Sequence, residues 1–227
     1  EALKNMYLTN KLFRSEILYV AHDGADKPKD EEVIKNIMMS NKLKVGYTGH
    51  LYHGRGIDII LKVAEIMTNI EFHIVGGNDE EIRYWKDQAY LNNVIYHGFV
   101  EPKLVYKYLN SFDIMLAPYQ NKVSISGNLG DTSKYMSPLK VFEYMASKKA
   151  VIISDLPVLH EVLDKDDVKF VKYNVIDEWC KAIREYDNKG ERIKFENNVF
   201  KKYENKYSWN MRVKNILKTI EKKRKVK

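Results

Sequence analysis

The sequence predicts an α/β fold with a doubly wound parallel sheet, and two observations carry that prediction. Six short apolar runs recur between residues 43 and 173, and stretches with helical spacing separate them. Near-continuous apolar strands are typical of a parallel sheet that helices cover on both faces. A chain of 227 residues, 44% of them hydrophobic, is long enough to bury such a core.

The predicted strands and helices alternate along the chain. The strands are expected at 43–49, 71–77, 94–100, 113–119, 150–155 and 168–173. The helices are expected at 56–69, 79–92, 102–111, 138–147 and 157–163, and the chain is predicted to be helical after residue 176. Ligands of such sheets bind beyond the carboxyl ends of the strands, so the residues that follow each strand carry the chemistry.

Composition divides the chain into three parts. Residues 1–40 precede the repeating pattern, and we expect them to be a connector from a missing N-terminal domain, with a strand within 16–28. Residues 41–190 carry the Rossmann-like alternation of strands and helices. Residues 191–227 are expected to form basic C-terminal helices.

The positive charge is concentrated at the C-terminal end. Residues 191–227 hold 13 Lys or Arg and four Asp or Glu, whereas the other 190 residues hold 25 and 27. A solvated helical face is the simplest explanation, and contact with anionic lipid or an acidic partner is the alternative. No nucleic-acid partner is expected.

Location is inferred from features that the sequence does not contain. No apolar run approaches the ~20 residues that a membrane span needs, and the start does not resemble a signal peptide. The single Cys180 argues against a disulfide framework or a thiolate metal site. We therefore expect a cytoplasmic location, with peripheral contact at the inner face of a membrane as an option.

A glycine-rich loop follows the first predicted strand. It reads GHLYHGRGID from Gly49 to Asp58, with Arg55 among three glycines. Glycines permit close backbone approach to a ligand, so this loop is a candidate phosphate site, although turn geometry alone would also explain it. The spacing is not G-x-G-x-x-G, which disfavours a nicotinamide or flavin enzyme.

The helix predicted at 138–147 begins with a second candidate for anion binding. Ser137 is suited to cap this helix and Pro138 to occupy its first position, which leaves free N–H groups at the helix start. Lys140 and Glu143 share one face, either as a surface salt pair or as ligands of a substrate. Together with Arg55 they outline a nucleoside diphosphate, since cations bind phosphate and a carboxylate accepts hydrogen bonds from a ribose diol.

Other segments after the strands carry weaker signals. The loop 120–136 is long and rich in Gly, Ser and Asn, as functional loops often are. The segment 97–100 could present its backbone to a flat base, whereas the side chain of His97 is expected to be structural. The glycines of 74–79 are expected to serve turn geometry only. The D-x-D pattern at 164–166 is interpreted as a polar turn rather than a metal site.

The order of these motifs resembles a known family. GHLYHGRGID, FHIVGG, VIYHGFV, FDIMLAPY, SPLKVFEYMASKKAVIISDLPVLHEVL and YSWNMRVKNIL are similar to the C-terminal half of retaining glycosyltransferases of the GT-B fold. The resemblance is greatest to family 4, also called group 1, and covers roughly residues 16–217. It implies a two-domain enzyme whose C-terminal domain binds a sugar nucleotide and whose N-terminal domain, absent here, holds the acceptor site.

The resemblance also implies roles for individual residues. Arg55, Lys140 and Glu143 would be the catalytic residues, with Arg55 and Lys140 on the donor diphosphate and Glu143 on the ribose hydroxyls. The remaining binding positions, which would surround the diphosphate and the base, are Gly49, His50, His97, Gly98, Phe99, Val100, Ser137 and Leu139. The helix around Trp209 would return towards the missing domain.

One departure from the family concerns the donor sugar. The family places a first glutamate eight residues before the second, and Tyr135 occupies that position here. A tyrosine cannot act as a carboxylate, so the identity of the sugar and the strength of catalysis stay open. Glu161 is a candidate substitute, although a glutamate in a short surface helix is more often solvated.

The expected function is therefore sugar transfer with retention from a UDP-, GDP- or ADP-linked donor to a glycan or lipid-linked acceptor in polysaccharide biosynthesis. No metal and no further cofactor are implied. The chain alone is expected to bind nucleotide weakly without catalysing transfer. A sugar-nucleotide epimerase on the same scaffold and a non-catalytic docking subunit are the alternatives.

Overall fold

The structure is a computed structural model that describes residues 1–29, 32–125 and 130–225. Residues 126–129 of the predicted loop 120–136 therefore lie outside the described residues, as do residues 30–31 of the connector. Among the helices that the structure describes, none combines the length and apolar character that crossing a membrane requires.

A parallel sheet of six strands forms the centre of the described chain. Its strands are β1 (Lys44–Thr48), β2 (Glu71–Val75), β3 (Val94–Gly98), β4 (Ile114–Ala117), β5 (Ala150–Ser154) and β6 (Lys169–Val171). Their order is β3-β2-β1-β4-β5-β6, so the chain reverses direction across the sheet between β1 and β4. This confirms the predicted α/β fold with a doubly wound parallel sheet.

Helices connect the strands and continue to the C-terminal end. They are α1 (Ala2–Thr9), α2 (Lys35–Met38), α3 (Ile57–Ile66), α4 (Asp79–Gln88), α5 (Pro102–Ser111), α6 (Leu139–Ala146), α7 (Ile176–Asp187), α8 (Lys189–Lys202) and α9 (Trp209–Lys225). Shorter turns are the 3₁₀ segments Ser15–Ile17 and Pro157–Glu161 and a π-helical turn at Tyr203–Tyr207. The segment predicted as a helix at 157–163 is thus a 3₁₀ turn.

Two apolar cores pack against the two faces of the sheet. On one face, α3, α4 and α7 supply buried residues that include Val63, Trp85 and Trp179. On the other face, α5, α6 and α8 supply Leu109, Phe142 and other buried residues. Burial of both sheet faces explains why the strands are apolar throughout rather than alternating.

Polar side chains fix the ends of the helices beside this sheet. Asn78 accepts a hydrogen bond from Glu81 N–H while the Glu81 carboxylate accepts one from Asn78 N–H, a capping box that begins α4. The buried amide of Asn93 donates to the backbone oxygens of Ala64, Met67 and Ile70. Asn93 therefore holds the Ala64 carbonyl in the last turn of α3 and the loop between α3 and β2 beside the start of β3.

The N-terminal segment differs from its prediction. Residues 16–28 do not form the expected strand, because one bridge between Ala25 and Ser208 is their only strand-like pairing with the other described residues. The side chain of Arg212 in α9 also holds this segment by donating to the His22 carbonyl. The C-terminal helices contribute to the core that contains Leu109 and Phe142, since Val199 and Tyr203 are buried in it.

Candidate nucleotide site

A cavity of about 650 Å³ opens at the carboxyl ends of β1 and β4. These strands are neighbours at the point where the strand order reverses, and α3 and α6, which follow them, pack on opposite faces of the sheet. A crevice between the two helix starts is a geometric consequence of this topology. The fold therefore places a ligand cavity where the sequence predicted one.

The turns after three neighbouring strands form one wall of the cavity. Gly49 N–H donates to the Val75 carbonyl, and Gly76 N–H donates to the Gly98 carbonyl. A Cβ atom on Gly76, which has φ +118°, would lie 2.2 Å from the Gly49 oxygen. Glycine is required at position 76 because only a residue without a side chain permits this close approach.

The start of α6 differs by one residue from its prediction. Pro138, rather than Ser137, is the N-cap residue, and α6 begins at Leu139 without a side-chain cap. Pro138 has an extended backbone with ψ 104°, so it precedes the helix and its carbonyl accepts a hydrogen bond from Val141 N–H. The Ser137 side chain thus does not cap the helix, and both Ser137 and Leu139 line the cavity.

Lys140 carries a buried ammonium group beside the cavity. Its Nζ is buried without a hydrogen-bond partner in the described part of the chain, and it lies 3.7 Å from the centre of the Tyr47 ring. Burial holds the pKa of Lys140 well below that of a solvated lysine, and the neighbouring charge of Arg55 lowers it further. An unpaired buried cation is costly, so it marks a place where an anion would be stabilised.

Arg55 brings a second cation to the same cavity. Its Nε is buried with no hydrogen-bond partner among the described residues, and its Nη2 makes one long contact of 3.5 Å with the Ser124 carbonyl. Its guanidinium carbon lies 5.8 Å from the centre of the Tyr119 ring. Most of the donor capacity of this guanidinium is therefore free for a ligand.

Glu143 lies one helical turn after Lys140 and also lines the cavity. Burial raises the pKa of Glu143, and the charge of Lys140 opposes that rise. No ion pair within 4.0 Å joins Glu143 to Lys140 in the described structure. The two side chains are thus not the surface salt pair that the sequence left open, and the carboxylate is available to accept hydrogen bonds.

The structure brings most of the predicted site residues together. Those that line the cavity are Gly49, His50, Arg55, Phe99, Val100, Ser137, Leu139, Lys140 and Glu143. His97 and Gly98 are not part of the lining. The ring of His97 instead stacks on His73, with 3.0 Å between His97 Nε2 and His73 Nδ1, as expected of a structural histidine.

Tyr135 and Glu161 meet at a second cavity of about 330 Å³ between the N-terminal segment, α6 and α9. Tyr135 lines both cavities, and its hydroxyl donates to the Asp131 carbonyl. Glu161 lines only the second cavity and accepts a hydrogen bond from Ala2 N–H. Glu161 therefore does not line the larger cavity, where the role of the missing first glutamate would place it.

The acidic turn at 164–166 is paired with the side chain of Lys202. Lys202 Nζ bonds to the carboxylates of Asp164 and Asp167, and Asp164 N–H donates to Asp167 Oδ2. No group of three or more His, Cys, Asp or Glu side chains comes together with metal-ligand geometry in the residues that the structure describes.

Sequence reasoning missed several residues of the cavity wall. Gly76 and Gly77 line it, although they were expected to serve turn geometry alone. Tyr119 lines it as well, and Tyr47 lies directly beneath Lys140. The position of Tyr119, two residues after a central strand, was a signal that could have identified it, since ligands bind beyond the carboxyl ends of such strands.

The fold and the site together define a doubly wound α/β domain with a ligand-sized cavity at the point where its strand order reverses. A family model described as "Glycosyl transferases group 1" matches residues 42–187, which is more than half of the chain. The protein belongs to this family of glycosyltransferases. No match was found among curated proteins.

Solved structures share this fold across almost the whole chain. Sucrose-phosphate synthase from Thermosynechococcus elongatus matches with a TM-score of 0.75 and 15% identity over 99% of this chain and 57% of that chain. Anabaena HepE in complex with UDP-glucose matches with a TM-score of 0.73 and 15% identity over 96% and 61%. A glycosyltransferase from Rickettsia africae matches with a TM-score of 0.70 and 14% identity over 96% and 60%.

These similarities show that the chain has the fold of one half of a glycosyltransferase. The chain spans 57 to 61% of the length of these three proteins. The prediction of one half of a GT-B fold is therefore confirmed.

Proposed function

We propose that the chain is the donor-binding domain of a retaining glycosyltransferase and that the larger cavity holds a nucleoside diphosphate sugar. The observation that carries this proposal is the pair of cations at the cavity, Lys140 Nζ and Arg55 Nε, each buried without a hydrogen-bond partner among the described residues. A diphosphate would supply the missing acceptors for both. A hydrogen bond between such a cation and an oxygen acceptor contributes more binding free energy in a buried site than in water.

The proposed pose assigns one part of the donor to each wall. The diphosphate lies between Arg55, Lys140 and the backbone of Gly49 and His50. Glu143 accepts hydrogen bonds from the ribose hydroxyls. Phe99, which is 78% exposed at the cavity edge, offers a ring on which the base can stack. Anabaena HepE binds UDP and UDP-glucose, which makes uridine the first base to test.

The proposed catalytic role of these residues is electrostatic. When the bond between sugar and diphosphate breaks, negative charge gathers on the departing diphosphate. Arg55 and Lys140 are already desolvated and positioned to stabilise that charge without reorganising water. A hydroxyl of the acceptor, a glycan or a lipid-linked sugar held by the missing domain, then attacks the same face of the donor sugar and passes its proton to the departing diphosphate oxygen. Tyr135 has no carboxylate with which to hold the donor sugar, so we propose that residues at other positions contact the sugar.

Two faces of α9 are proposed to bind partners. Trp209, Val213, Leu217 and Ile220 are 36 to 54% exposed and share one face by their spacing. We assign this face to the missing N-terminal domain. Lys214 and Lys218 lie on the neighbouring face without ion pairs in the described structure, and we assign them to anionic lipid at the cytoplasmic side of a membrane.

The test is thermal denaturation of the chain with UDP, GDP and ADP. One nucleotide is expected to raise the melting midpoint more than the others, because base and diphosphate bind together. Arg55→Met and Glu143→Gln are expected to remove most of that rise. Lys134→Met, at an exposed lysine close to α6, serves as the matched control and should keep it.

Two results would contradict the proposal. One is an equal response to all three nucleotides, as expected of a docking module. The other is release of sugar from the donor by the complete enzyme without any acceptor, which would favour an epimerase or hydrolase.

A further inference from the structure

The two unpaired cations of the cavity rest on an aromatic floor, which consists of Tyr47 and Tyr119. Both tyrosines are 1% exposed. Lys140 Nζ lies 3.7 Å from the centre of the Tyr47 ring and 5.4 Å from that of Tyr119, and Arg55 lies over Tyr119 as well. The electron-rich ring faces thus occupy one side of two cations whose Lys140 Nζ and Arg55 Nε atoms have no hydrogen-bond acceptor among the described residues.

A hydrogen bond fixes the Tyr47 ring of this floor, and burial confines the Tyr119 ring. The Tyr47 hydroxyl donates to the His50 carbonyl at 2.7 Å, which joins the floor to the loop after β1. The Tyr119 hydroxyl is buried without a hydrogen-bond partner among the described residues. The floor therefore excludes water below Lys140 and leaves the cavity as the side from which an acceptor can arrive.

The charged form of Lys140 is poorly supported while the cavity is empty. The groups that face it from neighbouring elements are the Arg55 guanidinium, the neutral hydroxyls of the aromatic floor and, on its own helix, Glu143. Burial and the charge of Arg55 lower the pKa of Lys140, while Glu143 opposes them. Negative charge placed at the cavity would favour the protonated ammonium instead.

We propose that Tyr47 and Tyr119 are positioning residues that keep Lys140 dehydrated and directed at the cavity, so that binding of a nucleoside diphosphate is coupled to uptake of a proton by Lys140 Nζ. The proton comes from the solvent and returns to it when the diphosphate leaves. The inference rests on the proposed function, since it takes the donor diphosphate as the ligand.

The experiment is calorimetry of UDP binding to the chain in two buffers with different ionisation enthalpies, between pH 6 and pH 9. Proton uptake is expected to be positive and to grow with pH, up to one proton per site. Lys140→Arg should bind UDP without this uptake, because arginine stays protonated. Lys134→Arg is the matched control and should leave the uptake unchanged.

The aromatic floor is tested in the same assay. Tyr119→Phe keeps the ring face and is expected to keep the uptake. Tyr119→Ser admits water beside Lys140 and should reduce the uptake by more than half. If Tyr119→Ser does not fold, Lys140→Arg and Tyr119→Phe still decide the matter, because loss of uptake in Tyr119→Phe would contradict a role for the ring face.

Failure of this inference can be told apart from failure of the proposed function. Equal binding heats in both buffers at every pH, with UDP bound, would overturn the inference alone. If neither UDP nor inorganic pyrophosphate binds, the proposed function fails, and an NMR titration of lysine side chains in the free chain decides the inference. The pKa of Lys140 is expected to lie well below that of a solvated lysine, and a midpoint in the ordinary lysine range would refute the inference.

Discussion

Replacing Lys140 with methionine should stabilise the free chain and weaken nucleotide binding at once. The Lys140 Nζ is buried without a hydrogen-bond partner among the described residues, so folding removes its hydration without replacing it. Methionine has a similar length and fills the same space without a charge. A buried polar group that costs stability in the empty protein is typical of functional sites, where stabilising substitutions often reduce function.

The size of both effects follows from this geometry. Replacement of a buried amino group that has no hydrogen-bond partner by an apolar side chain is expected to raise the free energy of unfolding by about 1–3 kcal/mol. For a chain of this length that is a rise of roughly 2–12 °C in the melting midpoint. Loss of one charged hydrogen bond to the diphosphate, about 1.5–3 kcal/mol, would weaken UDP binding about 10- to 150-fold.

The chain supplies a matched control for this substitution. Lys44 is 6% exposed, but its Nζ donates to the carbonyls of Ser40 and Lys42 at 2.8 and 3.0 Å. Lys44→Met is therefore expected to lower the free energy of unfolding by about 1–3 kcal/mol and to leave UDP binding intact. Urea denaturation and calorimetry measure the two quantities. If Lys140→Met destabilises the chain as much as Lys44→Met does, the reasoning about an unpaired ammonium is refuted.

Two further predictions concern stability away from the cavity. Asn93→Ala removes the buried amide that donates its two hydrogens among the Ala64, Met67 and Ile70 carbonyls, and it should lower the free energy of unfolding by about 2–3 kcal/mol in urea denaturation. A change below ~0.5 kcal/mol would contradict this expectation. Burial and the neighbouring His73 lower the pKa of His97 to about 4. The unfolded chain therefore binds more protons between pH 6.5 and pH 4, and stability should fall by about 2 kcal/mol as the pH decreases through that window. His97→Phe, which keeps a ring against Tyr108, is expected to reduce this slope, and an unchanged slope would count against the histidine pair.

Periodicity identified the secondary structure because each strand is covered on both faces. The helix at Pro102–Ser111 begins and ends at the predicted residues, since Pro102 favours the first helical position. The strand expected within 16–28 did not form, because an apolar run without a partner strand cannot satisfy its backbone. Pattern within the chain cannot reveal whether such a partner is available.

The candidate site was predicted as far as its residues follow central strands. Arg55, Lys140 and Glu143 meet at one cavity because parallel strands end at the same edge of the sheet. The sequence did not distinguish a surface salt pair from two separate ligands, since spacing of three residues permits both. It also did not indicate that Glu161 faces a different cavity, which depends on how the N-terminal segment packs.

The sequence by itself determined the class of fold, the order of strands and helices, and the residue types that surround the cavity. Those features depend on local spacing and on apolar pattern, which the chain carries within each segment. Only the tertiary structure decided that Lys140 Nζ and Arg55 Nε are buried beside Tyr47 and Tyr119 without hydrogen-bond acceptors among the described residues. Burial and the pairing of charges depend on residues distant in sequence, because they are set by which side chains the folded sheet brings together.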